Sequence, residues 1–304
     1  MEILFATDGR PPANAALELL TRLADPTHVR VTVLSAEDPV AAPGRLLDEG
    51  VAEAERALRD AGVGFHTLRM TGDPVVCIEK VLAEGDHGSL VLGAGNHSWL
   101  DRLAFGSVST HMLHAAHVPV IVAHRSPDPS HQRLRVLVGA DGSGSAAHAM
   151  DTLASITAPD RVDVQVRSVV PTPELGFPVH PGAYVPATYI EDLMAAEGVE
   201  AKRHLHEALD RCHAMGFSPH GSLGSGWPGN DLLHFGDEKA ADLIVVGARG
   251  LGVVARMAMG SVSGHVARHA PATLVAHAPV HLADREIVEP DARVSRNRYA
   301  VRWR

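Results

Sequence analysis

The chain is written twice. "ILFATDG" at 3–9 returns as "VLVGADG" at 136–142, and "VRVTVLSA" at 29–36 returns as "VDVQVRSV" at 162–169, both 133 positions later. Further along the spacing becomes 154. "SLVLGAG" (89–95) matches "LIVVGAR" (243–249), and "GSVS" stands at 106–109 and again at 260–263. A domain-sized internal repeat settles the organisation before any residue is weighed. The 304 residues suffice for two domains of ordinary size, at 1–125 and 134–280. The Pro- and Ser-bearing stretch 126–133 reads as a linker and 281–304 as a tail. The widening of the spacing by 21 puts an insertion in the second half. Its Pro- and Gly-rich content at 171–189 reads as a long, lid-like excursion.

Each half alternates short β-branched runs with segments of helical period. Strands are expected at 3–7, 29–36, 65–70, 89–93 and 118–123, then at 134–139, 162–169, 219–223, 242–247 and 272–277. The strand runs are nearly continuous in apolar residues, as a sheet covered on both faces requires. The expected class is α/β: two tandem Rossmann-like domains, each a five-stranded parallel sheet with helices on both faces. Ligands of such sheets bind beyond the carboxyl ends of the strands. That rule selects 6–9, 36–40 and 93–96 in one half, and 139–143, 169–171 and 247–250 in the other.

The stretch "VVGARGLGVVARMAMGSVS" (245–263) carries the chemistry. Gly247 ends a strand, Gly250 follows, and Gly260-Ser261 opens a helix with Ser261 as the expected N-cap. A helix N-terminus offers unpaired N–H groups and the positive end of the helix dipole, which together suit a phosphate. The hydroxyls of Ser261 and Ser263 are expected to add hydrogen bonds. The chain has no G-x-x-x-x-G-K-[ST], and no G-x-G-x-x-G follows its first strand. The phosphate loop of kinases and GTPases and the dinucleotide fingerprint are therefore not its devices. Asp8 and Asp141 close the first strand of each half, either as ligand contacts or as helix caps.

The pattern G-x2-G-x9-G-[ST] after a fourth strand, in a unit opening "ATDG" or "GADG", resembles the universal stress protein family in a tandem form, over almost all of 1–280. The resemblance implies ATP as ligand, since many members bind it and others do not. It puts the triphosphate and ribose against Gly247, Gly250, Gly260, Ser261, Val262 and Ser263, with Arg249 between the first two glycines. Adenine falls near Ala140 and Val169, and Asp141 near the ribose and phosphates, where it can help to hold Mg2+. The matching first-half positions are Thr7, Asp8, Ala36, Gly93, Asn96, Gly106, Ser107, Val108 and Ser109. Asn96 stands where the pattern has its second glycine, so a side chain enters that loop. Arg102 and Arg256 occupy one offset in the two loops, and His97 follows Asn96. The fifth strands, 118–123 and 272–277, are expected to meet as a dimer contact folded into one chain, with a homodimer a further option.

A net charge of −9 argues against a general nucleic-acid surface. Cys77 and Cys212 read as buried reduced thiols, and no run reaches the length of a membrane span. The expectation is a cytoplasmic protein. His111, His114 and His117 read as an exposed helix surface rather than a metal site. The leading functional expectation is an ATP-binding stress-response regulator or binding module with little turnover. An adenine-nucleotide hydrolase or transferase, and a scaffold without nucleotide, are the alternatives.

Overall fold

A computed structural model describes residues 1–37, 45–95, 106–172, 187–250 and 259–278. The first half runs β1 (Glu2–Thr7), α1 (Pro11–Leu23), β2 (Arg30–Glu37), α2 (Arg45–Asp60), β3 (Gly64–Thr71), α3 (Pro74–Glu84), β4 (His87–Gly93), α4 (Ser107–Ala115) and β5 (Val120–Ala123). The second runs β6 (Leu134–Gly139), α5 (Gly144–Ile156), β7 (Val162–Pro171), α6 (Ala187–Ala214), β8 (His220–Gly226), α7 (Pro228–Glu238), β9 (Leu243–Gly247), α8 (Ser261–His269) and β10 (Ala272–Ala276).

Within each half the five strands are parallel, in the order 3-2-1-4-5 counted from the start of that half. The two sheets join into one of ten strands because β5 pairs antiparallel with β10, Ala123 opposite Ala272 and Val120 opposite Val275. The backbone amides of His124 and Arg125 continue the seam by donating to Pro271 O.

Side-chain alternation along the central strands builds two cores. Ile3 and Phe5, Val136 and Val138, and Leu243 and Val245 face α1, α2, α5 and α6. Leu4, Leu137, Ile244 and Val246 face α3, α4, α7 and α8. Each core runs through both halves, so the chain closes around a shared interior. A fully buried Leu, Ile or Val contributes about 1.5–3 kcal/mol to that closure. The edge strands depart from the expected apolar runs. β3 is "GFHTLRMT" and β8 is "HGSLGSG", both largely exposed, because an edge strand is covered less fully than a central one.

Local signals set the helix starts. Asp73 caps α3 by accepting from the amides of Val75 and Val76, with Pro74 at the first helical position. Ser143 caps α5 by accepting from Ala146 N at 3.1 Å. The expected excursion at 171–189 is part strand and part helix at its ends, since Pro171 closes β7 and Ala187 opens α6. Residues 173–186 lie outside the described residues. α6 has 28 residues against 16 for α2, so much of the second half's extra length is helix.

Candidate functional site

The carboxyl ends of β6, β7 and β9 open into a cavity of about 380 Å³, within the range of small-molecule sites. All ten residues selected in the second half line it: Ala140, Asp141, Val169, Gly247, Arg249, Gly250, Gly260, Ser261, Val262 and Ser263. Sequence positions more than a hundred apart are brought together by the parallel topology, which sends every strand end to the same rim.

The fourth-strand glycines have a packing role that the repeat alone did not disclose. A Cβ on Gly247 would sit 2.6 Å from Ala146 N and 2.8 Å from Ser145 C, inside the first turn of α5. One on Gly93 would sit 2.5 Å from Ala13 N of α1. Both glycines let a strand end press on the helix after the half's first strand, which shapes the floor beneath any ligand.

α8 begins differently from expectation. Its N-cap is Gly260, with φ −69° and ψ 162°, and Ser261 is already helical. Glycine has no side chain to accept from the first turn, so no side-chain cap forms. The amides of Ser261, Val262 and Ser263 therefore present the donors of an uncapped N-terminus at the cavity rim. The Ser263 hydroxyl is directed inward, donating to Ala248 O at 2.7 Å with Gly260 O at 3.1 Å, while Gly260 N donates to Ala248 O at 2.7 Å. Its proton ties α8 to the end of β9, whereas Ser261 stays exposed. The first half repeats this: Gly106 caps α4 without a side chain, Gly106 N donates to Ala94 O, and buried Ser109 donates to the same carbonyl.

Neither strand-end aspartate caps a helix. Asp141 Oδ1 accepts from Ser143 N at 3.0 Å, and Asp8 Oδ1 from Arg10 N at 3.0 Å, so each closes the turn that begins the next helix. Asp141 Oδ2 faces Gly250, where a Cβ would lie 3.0 Å from it. That oxygen and Arg249 give the rim one acidic and one basic group. His277, at the end of β10, is near enough to Arg249 to feel its charge. Burial holds that imidazole below its usual range, with Arg249 and His114 adding to the effect and a bond from Nε2 to Leu113 O opposing it.

Two further walls escaped sequence reading. Arg167 projects from β7 and is clamped by Asp231 of α7, Nε to Oδ1 at 2.7 Å and Nη2 to Oδ2 at 2.8 Å. Its guanidinium carbon lies 4.1 Å from the Phe235 ring centre. The fork-to-fork pair and the ring hold it in one geometry. From α6, Glu197, Glu200, Ala201 and His204 form a face of the cavity at helical spacing. Aligning the repeats flags two of these positions, since Arg167 falls opposite Leu34 at offset 133 and His204 opposite Gly50 at offset 154.

The first half gathers its counterparts less completely. Thr7 is buried, its Oγ1 accepting from Gly9 N, and Ala36 lies near the end of β2. Ser107, Val108 and Ser109 form the first turn of α4. Asn96, His97 and Arg102, like Arg256 of the second loop, lie outside the described residues. A cavity of about 110 Å³ sits at the ends of β2 and β3, lined by residues such as Ser35, Asp48 and Arg69, and includes none of the expected first-half residues. An Arg69–Asp48 ion pair joins two of its walls.

His111 Nε2 lies 2.8 Å from Glu79 Oε1 on an exposed surface, and among the described residues no group of three His, Cys, Asp or Glu converges as a metal site. Cys77 and Cys212 are buried and free, and burial pushes the Cys212 thiol up to about 11. Among the described residues no helix is long and apolar enough to cross a membrane.

Comparison with known proteins agrees with this architecture. The universal stress protein family model matches residues 1–124 and 133–276. A universal stress protein of Mycolicibacterium smegmatis is 30% identical over 291 residues, covering 88% of this chain and 94% of that one. One of Mycobacterium tuberculosis is 27% identical over 291 residues, covering 88% and 92%. The structure of a universal stress protein from Archaeoglobus fulgidus superposes with a TM-score of 0.58 at 24% identity, over 91% of this chain and 98% of that chain, a likeness of fold. Matched by the family model in both halves, the chain belongs to the universal stress protein family.

Proposed function

We propose that the second half binds an adenine nucleotide, read as ATP, and that the protein acts as a stress-response regulator or binding module with little turnover. The observation that carries this reading is the uncapped N-terminus of α8, whose first-turn amides border a cavity of about 380 Å³ together with Arg249. Backbone donors and the helix dipole hold the phosphates, Arg249 adds charge, and the strand ends at Ala140 and Val169 leave room for the base. Mg2+ carried by the phosphates has one carboxylate oxygen available at Asp141 Oδ2, an arrangement typical of that ion in nucleotide sites.

Two of the three lining carboxylates are already engaged, which fits low turnover. Asp141 Oδ1 is committed to Ser143 N, and Glu200 Oε2 to Arg203, so neither is poised as a strong base for water. The antiparallel β5–β10 seam makes the two halves an internal counterpart of a dimer. Two free buried thiols suit the reducing cytoplasm.

Calorimetric titration with ATP, AMP and cyclic AMP tests the reading on the wild type and on Ser261→Glu. The exposed first-turn position accepts a glutamate without harm to the helix, while its charge repels phosphate. Saturable heat with ATP in the wild type, lost in S261E, is expected. An absence of binding by the wild type defeats the proposal, and product accumulating over many turnovers replaces a binding module with a hydrolase.

A further inference from the structure

We infer that Arg167 is a base shelf, a guanidinium locked flat in the wall of the second-half cavity, on which the adenine of a bound nucleotide stacks. The inference rests on the nucleotide reading above and adds the residue that holds the base.

Arg167 is fixed along one edge and across one face. Nε and Nη2 donate to the two carboxylate oxygens of Asp231 at 2.7 and 2.8 Å, and Nη1 donates to Ser222 Oγ at 3.3 Å. Ser222 is its partner in register on β8. The carboxylate fits beside it because the same strand has a glycine two residues later. A Cβ on Gly224 would lie 2.6 Å from Asp231 Cγ. On one face, the ring centre of buried Phe235 lies 4.1 Å from the guanidinium carbon. Arg167 borders the cavity and Phe235 does not, so the face away from the ring is the one turned to the cavity. A guanidinium held this way loses little freedom when a ligand arrives, and such a planar cation stacks on nucleobases.

The lining divides by chemistry. Hydrogen-bond donors gather at the first turn of α8 and at Arg249. On the α7 side of the sheet the wall beside Arg167 is apolar. Val169 follows two residues along β7 on the same face, and Pro228, Leu232 and Val246 complete that wall. An apolar slot with a flat cation in it suits an aromatic ring, whereas a phosphate there would lose hydrogen bonds to water without replacement. Three of the guanidinium's five N–H groups are already committed to Asp231 and Ser222, and Asp231 balances the charge. What the group has left for a ligand is mainly its open face.

Calorimetry with ATP and with inorganic tripolyphosphate, which has the anion and no base, tests this together with a crystal structure of the wild type with AMP. The wild type is expected to bind ATP at least about tenfold more tightly than tripolyphosphate. Arg167→Lys keeps the charge beside Asp231 and loses the plane. It is expected to weaken ATP about tenfold and to leave tripolyphosphate within about twofold of wild type. The double variant R167M/D231N removes the plane and the ion pair together, so that no charge is left buried alone, and is expected to behave as R167K does. In the crystal the adenine plane is expected to lie parallel to the guanidinium, about 3.5–4 Å from it. R167K that holds ATP as the wild type does overturns the shelf. So does a fall in tripolyphosphate binding equal to that for ATP in both variants, which would make Arg167 an anion contact, and so does an adenine seated elsewhere in the crystal. A wild type that binds ATP and tripolyphosphate alike overturns the shelf and leaves the phosphate cradle standing, whereas one that binds neither removes the nucleotide reading itself.

Discussion

The two halves share a topology, a seam and a cradle, yet differ at several side chains on and behind the cavity wall. Leu34 of β2 has Arg167 as its counterpart, Cys77 of α3 has Asp231, and Gly50 of α2 has His204. The central strands hardly change character, since Ile3, Leu4 and Phe5 answer to Val136, Leu137 and Val138, all at most 1% exposed. Divergence has thus been tolerated at the strand ends and excluded from the shared core. The interior must fill one volume in both halves, because each core runs unbroken through both. The rim carries no such constraint.

The sharpest way to break the comparison is at Arg167. Its pair with Asp231 is largely buried, with side chains 15% and 13% exposed. Arg167→Leu copies the first half at one position only and leaves the Asp231 carboxylate buried without its partner. A loss of about 3–5 kcal/mol is expected in urea unfolding. The double variant R167L/D231C copies both first-half residues and is expected to recover most of that loss, since replacing a buried ion pair whole is often neutral. A double variant as unstable as the single one shows that the second half depends on the pair for more than charge balance.

The fourth-strand glycines test the feature the halves share. Gly247→Ala drives a methyl into the first turn of α5 and Gly93→Ala drives one into α1, and each is expected to cost about 1–3 kcal/mol. Gly260 is the control, because its added Cβ meets Ala248 O at 3.2 Å, Ser263 Oγ at 3.5 Å and Arg249 Cα at 3.6 Å, none as close as the contacts at Gly247 and Gly93. G260A is expected to cost less than either. Equal losses at all three positions would return Gly247 to a purely ligand-facing role.

Much of the architecture was legible because it depends on periodicity and repetition. The β-branched runs, with the repeat filling in β8, located the ten strands of the described residues, and the repeated "GSVS" located both cradle helices. Less legible was what depends on distance between elements. Nothing in "VVGARG" says that Gly247 touches Ala146, because that approach is set by how α5 crosses the sheet. The cap fell on Gly260 rather than Ser261 because the Ser263 hydroxyl reaches back to Ala248 O and fixes where the helix begins. Arg167 and His204 were hidden for a different reason. An arginine in a strand and a histidine in a helix carry no motif, and only their mismatch with Leu34 and Gly50 marks them.

A smaller effect concerns the seam, where the halves treat one another alike. His124, after β5, donates from Nε2 to Ala267 O of α8 at 2.8 Å, and His277, after β10, reaches Leu113 O of α4 at 3.4 Å. Each imidazole caps the far end of the other half's cradle helix. Burial holds both below the usual imidazole range, Arg125 and His269 reinforcing this at His124, and Arg249 and His114 at His277. The unfolded chain protonates such groups near pH 6.5, so below about that value it binds more protons than the native state. Stability is therefore expected to fall as pH drops from 7.5 to 5.5, read as the urea midpoint. His124→Gln/His277→Gln is expected to flatten that fall in part, because His87, His148 and His265, also lowered by burial, remain. An unchanged slope would show that the two caps do not titrate with folding.

The smallest expected effect is also the cleanest exchange between the halves. Arg10 and Ser143 are matching N-cap residues, but only Ser143 accepts from its helix, at Ala146 N, while the Arg10 side chain leaves the first turn of α1 uncapped. Ser143→Ala is expected to cost about 1 kcal/mol. Arg10→Ser supplies the missing acceptor and is expected to gain up to about 0.5–1 kcal/mol, exposed arginine contacts such as that with Asp8 at 3.8 Å being worth little. The two changes lie on turns of one shape, with Gly9 and Gly142 both at positive φ just before the cap. Opposite shifts in the urea midpoint, close in size, would show that the turns are interchangeable. A destabilising Arg10→Ser would instead show that α2, pressed on the first turn, leaves no room for the serine to reach its amide.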